Sequence, residues 1–295
     1  MDYVRLVPWK RALAPRINAT LRRAVGYELR PVVKPTRRRQ TPFRPDALTP
    51  PEERLVTAPV FIICSIRSGS TLLRAILGSH SELHAPHELH LSRIAVTVGS
   101  RNAENALAAI GLDGRRLEHL LWDRLLHRQL RLSGKSVLVN KTPSDAFIWR
   151  RIVECWPDAR FIFLLRHPLS SAQSRQAAFP DRPLDESIAK TLRFMNAVEE
   201  ARRSLPGLTV RYEQLTADPE GVTREICAYL DVPWEPGMLE YGSRAEDEFQ
   251  RGLGDWTEQI RSGEIQPARP LPPADQVPES LKGLCRAWGY LPDRD

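Results

Sequence analysis

Arg67-Ser-Gly-Ser-Thr71 is the segment of this 295-residue chain best equipped to hold an anion. It follows an apolar run, Pro59-Val-Phe-Ile-Ile-Cys-Ser65, and precedes a helical one, Thr71-Leu-Leu-Arg-Ala-Ile-Leu77. A helix N-terminus carries unpaired N–H groups and a partial positive charge, and a glycine lets the backbone come close to an anion. Gly69 supplies the close approach. Ser68, Ser70 and Thr71 add hydroxyl donors, and Arg67 adds a guanidinium. These five residues therefore read as a cradle for a phosphate-like oxyanion. Further chemistry-bearing side chains stand at the ends of similar apolar runs: Lys141 after Ser136–Asn140, Arg166 after Arg160–Leu165, and Tyr212 closing Leu208–Tyr212.

The cradle is not a nucleotide P-loop. That motif needs an early glycine and a lysine after the later one, and here Ser70 stands where the lysine belongs. A triphosphate handled with magnesium is disfavoured, and a donor with fewer charges and no metal is favoured. His84, His87 and His90 lie close together, but no matching ligand set occurs elsewhere, so no metal site is expected. Cys64, Cys155, Cys227 and Cys285 are far apart and read as buried, reduced thiols.

The elements that must carry these groups alternate. Residues 59–65, 136–140, 160–165 and 208–212 read as buried strands. Helical segments are expected at roughly 71–77, 88–98, 113–132, 145–156, 168–178, 185–204, 218–231 and 281–288. This order predicts an α/β fold, a parallel sheet of about four to five strands flanked by helices. Ligands in such sheets bind beyond the carboxyl ends of the strands, where Ser65, Asn140 and Arg166 stand. The proline-rich stretch 263–278 reads as a loop over the body, with the character of a lid.

Phe61-Ile-Ile-Cys-Ser-Ile-Arg-Ser-Gly-Ser-Thr-Leu-Leu-Arg74 resembles the 5′-phosphosulfate loop of sulfotransferases, which use 3′-phosphoadenosine 5′-phosphosulfate (PAPS) and have a P-loop-like fold. The resemblance implies that Arg67, Ser68, Gly69, Ser70 and Thr71 bind the 5′-phosphosulfate. Arg166 and Ser174, eight residues apart, match the family's arginine and serine for the 3′-phosphate. Arg211-Tyr-Glu-Gln-Leu215 resembles a segment near the adenine and nominates Tyr212. Gln250-Arg-Gly-Leu-Gly-Asp-Trp256 resembles the Arg-Lys-Gly-x-x-Gly-Asp-Trp segment with a spacer one residue short, and it nominates Arg251 and Gly252.

Sulfuryl transfer needs a cation near the leaving oxygen and a base near the acceptor. Lys141 resembles the Asn-Lys-x-Pro lysine of tyrosylprotein-type sulfotransferases, which implies a leaving-group role. The histidine that follows a similar Lys-Thr pair in cytosolic small-molecule enzymes is replaced here by Pro143. Glu88 lies 21 residues after Arg67, as does the tyrosylprotein-type base glutamate, and Pro-x-Glu-Leu-His-Leu also resembles polyketide-synthase sulfotransferase domains. Glu88 is therefore expected to be the base. His87 and His90 flank it as orienting groups, or as the base in its place.

The net charge of +7 is unevenly placed. Residues 1–54 hold 13 Lys/Arg and 5 Asp/Glu, whereas residues 55–295 hold 30 and 31. A basic, proline- and arginine-rich arm (1–54) thus precedes a neutral body (55–295). A uniformly basic nucleic-acid-binding domain is disfavoured. The arm contains Leu13, Ile17, Leu21 and Val25 at helical spacing and reads first as a linker or packing arm, with contact to an acidic partner or a membrane surface as the alternative. No apolar run reaches the ~18 residues of a membrane span, and no signal-peptide-like run opens the chain, which points to a cytoplasmic protein. The leading expectation is a metal-independent PAPS-dependent sulfotransferase acting on a small-molecule or carrier-bound hydroxyl. The alternatives are a P-loop-type small-molecule kinase and a non-catalytic adenine-nucleotide-binding protein.

Overall fold

A computed structural model describes residues 51–244 and 262–292. The N-terminal arm up to residue 50, and Arg251 and Gly252, lie outside the described residues. Five parallel strands form one sheet: β1 (Val60–Cys64), β2 (Leu83–His84), β3 (Val137–Asn140), β4 (Arg160–Leu165) and β5 (Leu208–Arg211), in the order β2-β3-β1-β4-β5. The helices are α1 (Ser70–Ser79), α2 (Arg101–Ala109), α3 (Gly114–Ser133), α4 (Trp149–Cys155), α5 (Pro168–Ala178), α6 (Leu184–Ser204), α7 (Tyr212–Ala217), α8 (Pro219–Leu230) and α9 (Glu279–Ala287).

The two-residue period of a strand divides the core. Val60, Ile62 and Cys64 of β1, with Ile162 and Leu164 of β4, face one side and pack with Leu73 and Ile76 of α1 and Ile226 of α8. Phe61 and Ile63, with Phe161, Phe163 and Leu165, face the other and pack with Trp122, Trp149, Trp156, Met195 and Trp288. Every residue of β1 is buried, as a central strand covered on both faces requires. β1 and β4 run in register from Val60↔Arg160 to Cys64↔Leu164, and Leu165 pairs with Arg211. The residues that leave these strands therefore emerge along one edge of the sheet.

Several expected boundaries move. The helix expected at 88–98 is a single 3-10 turn, Leu91–Arg93, and the next helix is α2. His90 has φ +50°, which no continuing right-handed helix allows. The helix expected at 145–156 is a 3-10 turn, Pro143–Phe147, followed by α4. The last strand ends at Arg211, and Tyr212 opens α7 instead of closing the strand. The stretch 263–278 is irregular apart from a turn at Ala274–Gln276. Among the described residues all four cysteines are free and buried, and no helix is long and apolar enough to cross a membrane.

The short strand β2 is held by a cation. The half-buried Lys135 ammonium donates to the carbonyls of Gly78, His80 and Leu83 at 2.7, 2.8 and 3.0 Å. It thereby ties the end of α1 to the strand that leads to Glu88. Lys135→Met keeps the stem and removes the donors. A loss of about 2–3 kcal/mol in urea denaturation is expected, the scale of charged hydrogen bonds to partly buried acceptors. A change below ~0.5 kcal/mol would mean that water replaces the ammonium at no cost.

Candidate active site

The turn from β1 into α1 needs two left-handed residues, Arg67 (φ +59°) and Gly69 (φ +83°). Gly69 occupies the N-cap of α1, so no side chain caps the first-turn N–H groups. A helix end left in this way suits an anion. A Cβ on Gly69 would lie 2.2 Å from Cδ2 of Tyr212, so the tyrosine ring is seated directly on the loop. Ser70 and Thr71 are buried at the start of the helix. The Ser68 hydroxyl is turned inward and donates to the Ser65 carbonyl at 2.8 Å, so its side chain braces the loop.

Arg166 leaves β4 beside this loop. It donates to the Arg67 carbonyl at 3.0 Å, and its guanidinium lies 4.3 Å from the centre of the Tyr212 ring. Its Nε is buried and has no partner among the described residues. Burial lowers the Arg166 pKa; the charges of Arg67 and of Arg269, from the proline-rich stretch, add to this, and Tyr212 and Glu213 oppose it. Arg67 Nε donates to Ser174 Oγ at 3.4 Å. Arg67, Arg166, Ser174 and Tyr212 thus form one contiguous group drawn from the segments that follow β1, β4 and β5. Pro168 starts α5 just beyond Arg166, and the His167 ring caps that helix by accepting from the Ser170 N–H at 3.4 Å.

Glu213 and Tyr290 brace the group from behind. Glu213 accepts from the His167 N–H at 3.0 Å and from the Tyr290 hydroxyl at 2.6 Å. Burial and the neighbouring carboxylate raise the Tyr290 pKa, so it stays a donor. Neither residue is nominated by the sequence, although Glu213 lies inside the Arg211–Leu215 segment. The nearest signal is the position of Glu213, directly after Tyr212.

A second group lies at the end of β3. Lys141 is 1% exposed, and its Nζ sits 2.5 Å from Glu88 Oε1. His90 Nε2 lies 3.8 Å from Glu88 Oε2. The His90 N–H donates to Thr142 Oγ1 at 3.4 Å, and the Ser92 and Ser144 hydroxyls meet at 2.9 Å. The stretch carrying Glu88 is therefore stitched to the turn after β3. His87 is half-buried and makes no hydrogen bond or ion pair among the described residues. Of the two flanking histidines, His90 is the one beside the carboxylate.

Cys64 links the two groups. Its buried thiol sits beside the Ser68 and Ser70 side chains and feels the charges of Lys141 and Glu88. Burial pushes its pKa up to about 11, so it stays a neutral thiol. The anion loop and the lysine–carboxylate pair thus both lie close to Cys64. That arrangement can bind a phosphate-bearing group and place a base and a cation next to it. Among the described residues no cluster of three or more His, Cys, Asp or Glu side chains could hold a metal ion.

Residues 59–236 match the model of the Sulfotransferase family. Protein-tyrosine sulfotransferase A of Caenorhabditis elegans is 24% identical over 255 residues, covering 80% of this chain and 63% of that protein. The chain spans less than two thirds of the length of the sequence relatives it matches. Two solved structures share the fold. The sulfotransferase domain from the curacin biosynthetic pathway has a TM-score of 0.56 and 21% identity, covering 80% of this chain and 99% of that one. The sulfotransferase domain of the Synechococcus PCC 7002 olefin synthase has a TM-score of 0.57 and 22% identity, covering 81% and 98%. With more than half of its length matched by the family model, the chain belongs to the sulfotransferase family.

Proposed function

We propose that the chain transfers a sulfuryl group from PAPS to an acceptor hydroxyl, without a metal, by in-line displacement. The observation that supports this most is the union of the cationic group with the Lys141–Glu88 pair on the carboxyl edge of one sheet. Arg67 and the first turn of α1 would hold the 5′-phosphosulfate. Arg166 and Ser174 would hold the 3′-phosphate, and Tyr212 would lie against the adenine.

Glu88 would accept the acceptor's proton as the new S–O bond forms. Lys141 would stabilise the charge left on the phosphate oxygen as the old S–O bond breaks. The pair seen here must loosen so that Lys141 faces that oxygen. A carbohydrate-like or alkyl alcohol, free or carrier-bound, suits the acceptor side better than a phenol. Trp122 is the one Phe, Tyr or Trp in residues 88–132, and it is fully buried in the core. It offers no surface for stacking.

Calorimetric titration with 3′-phosphoadenosine 5′-phosphate (PAP) tests the donor, with ATP and magnesium in parallel. Tight, metal-independent PAP binding is expected. Arg166→Ala should weaken it by about 1.5–3 kcal/mol, the scale of charge-assisted hydrogen bonds. Binding of ATP with magnesium alone would favour a small-molecule kinase. Binding of neither would leave the family's fold without its donor site.

A further inference from the structure

Asp145 stands in the turn that follows Lys141, and neither the spacing nor the family motifs single it out. It is 1% exposed. Its Oδ2 accepts from Asn140 Nδ2 at 2.7 Å. Among the described residues its Oδ1 has no hydrogen-bond partner, and neither does Asn140 Oδ1. Two buried acceptor oxygens thus stand on a bonded pair of side chains without a donor between them. A buried carboxylate with one hydrogen bond and no cation bonded to it is costly. A carboxylic acid beside an amide is not. The amide N–H already donates to one oxygen, and a proton on the acid supplies the donor that the two orphaned oxygens lack.

The geometry points to Asp145 as a neutral acid paired with Asn140, and as a positioning residue that leaves Glu88 as the only carboxylate acting on Lys141. This rests on the sulfuryl-transfer reading above for its consequence, though not for the protonation itself. Burial first, and then the negative charge of Glu88, push the Asp145 pKa up to about 8, with Lys141 and Asn140 opposing. The other ionisable groups on elements packed against this turn are Cys64 on β1, Arg93 in the turn 91–93, and charged residues of α6, of which Arg193 lies over the Phe147 ring and Lys190 over that of Phe194. Cys64 is a thiol at these pH values. Among the described residues, Glu88 and Lys141 are the charges that act on Asp145.

The consequence follows from the sign of the charge. Below about pH 8 Asp145 is neutral, and Lys141 keeps its full charge for an anionic donor. Above it, Asp145 becomes a second carboxylate beside Lys141. It then competes for the ammonium and repels the donor and the leaving phosphate. Turnover and donor affinity both fall as Asp145 ionises.

Infrared difference spectroscopy of the full chain tests this directly. Asp145→Asn replaces the acid–amide pair with an amide–amide pair of the same shape. Wild type minus D145N should show the carbonyl stretch of a protonated acid at neutral pH, lost with a midpoint near 8. The Glu88 carboxylate band, assigned with Glu88→Gln, should shift through the same midpoint in wild type and not in D145N. In sulfuryl-transfer assays the alkaline limb near 8 should be present in wild type and absent in D145N. No acid band at neutral pH would overturn the proposal, whatever the activity. A band without a coupled Glu88 shift, or an alkaline limb unchanged in D145N, would overturn the positioning role. A chain that transfers no sulfuryl group would refute the proposed function, and the two infrared results alone would then decide whether Asp145 is a neutral acid coupled to Glu88.

Discussion

Glu88→Gln is expected to lower sulfuryl turnover by roughly 10²–10⁴-fold, the range of general-base contributions. Its affinity for PAP should stay within about twofold, because Glu88 pairs with Lys141 and His90 and, among the described residues, makes no bond to Arg67, Arg166, Ser174 or Tyr212. Glutamine keeps the length of the side chain and an oxygen that accepts from Lys141 Nζ. It loses the negative charge and the basic lone pair. The substitution therefore separates proton removal from the positioning of Lys141. If turnover were retained with a good acceptor, the base would be His90, 3.8 Å from the Glu88 carboxylate, before His87. If turnover and PAP affinity both collapsed, Glu88 would be holding the site together through Lys141.

The sequence carries the parts of the molecule that depend on local chemistry. β1, β3, β4 and β5 are legible because each is a short, β-branched or aromatic run bounded by turn residues. Arg67, Gly69, Lys141 and Arg166 are legible because each sits at a strand end, where an α/β sheet places its ligands. What escapes depends on tertiary contacts. β2 is two residues long and exists because Lys135 and β3 hold it. The stretch 88–98 has helical spacing, yet hydrogen bonds to Thr142 and Ser144 pull it across the turn after β3. Asp145 opens the expected helix 145–156 with nothing to mark it, and its burial and its bond to Asn140 appear only in the fold. Tyr212 is marked by its motif, but its seat on Gly69 is invisible in the sequence, because the two are far apart in the chain.

That seat gives the second large effect. Gly69→Ala is expected to weaken PAP binding by roughly 10–100-fold, equivalent to about 1.4–2.7 kcal/mol. Two costs combine. A φ of +83° strains any residue with a Cβ. The new methyl would also stand 2.2 and 2.5 Å from Cδ2 and Cε2 of Tyr212. The ring has little freedom to retreat. Arg166 lies on its other contact, and Glu213, the next residue, is fixed by the His167 N–H and the Tyr290 hydroxyl. Relief must therefore come from the loop, which would lift the first turn of α1 away from the anion. Gly134→Ala is the matching control. It has a φ of +68° with nothing within 4 Å of the added carbon, so it carries the strain without the clash. Both variants should lose about 1 kcal/mol of stability to backbone strain. Only Gly69→Ala should lose affinity in calorimetric titration with PAP. Equal affinities for the two variants would mean that the Tyr212 ring yields. The anion loop and the tyrosine would then be separate features and not one binding surface.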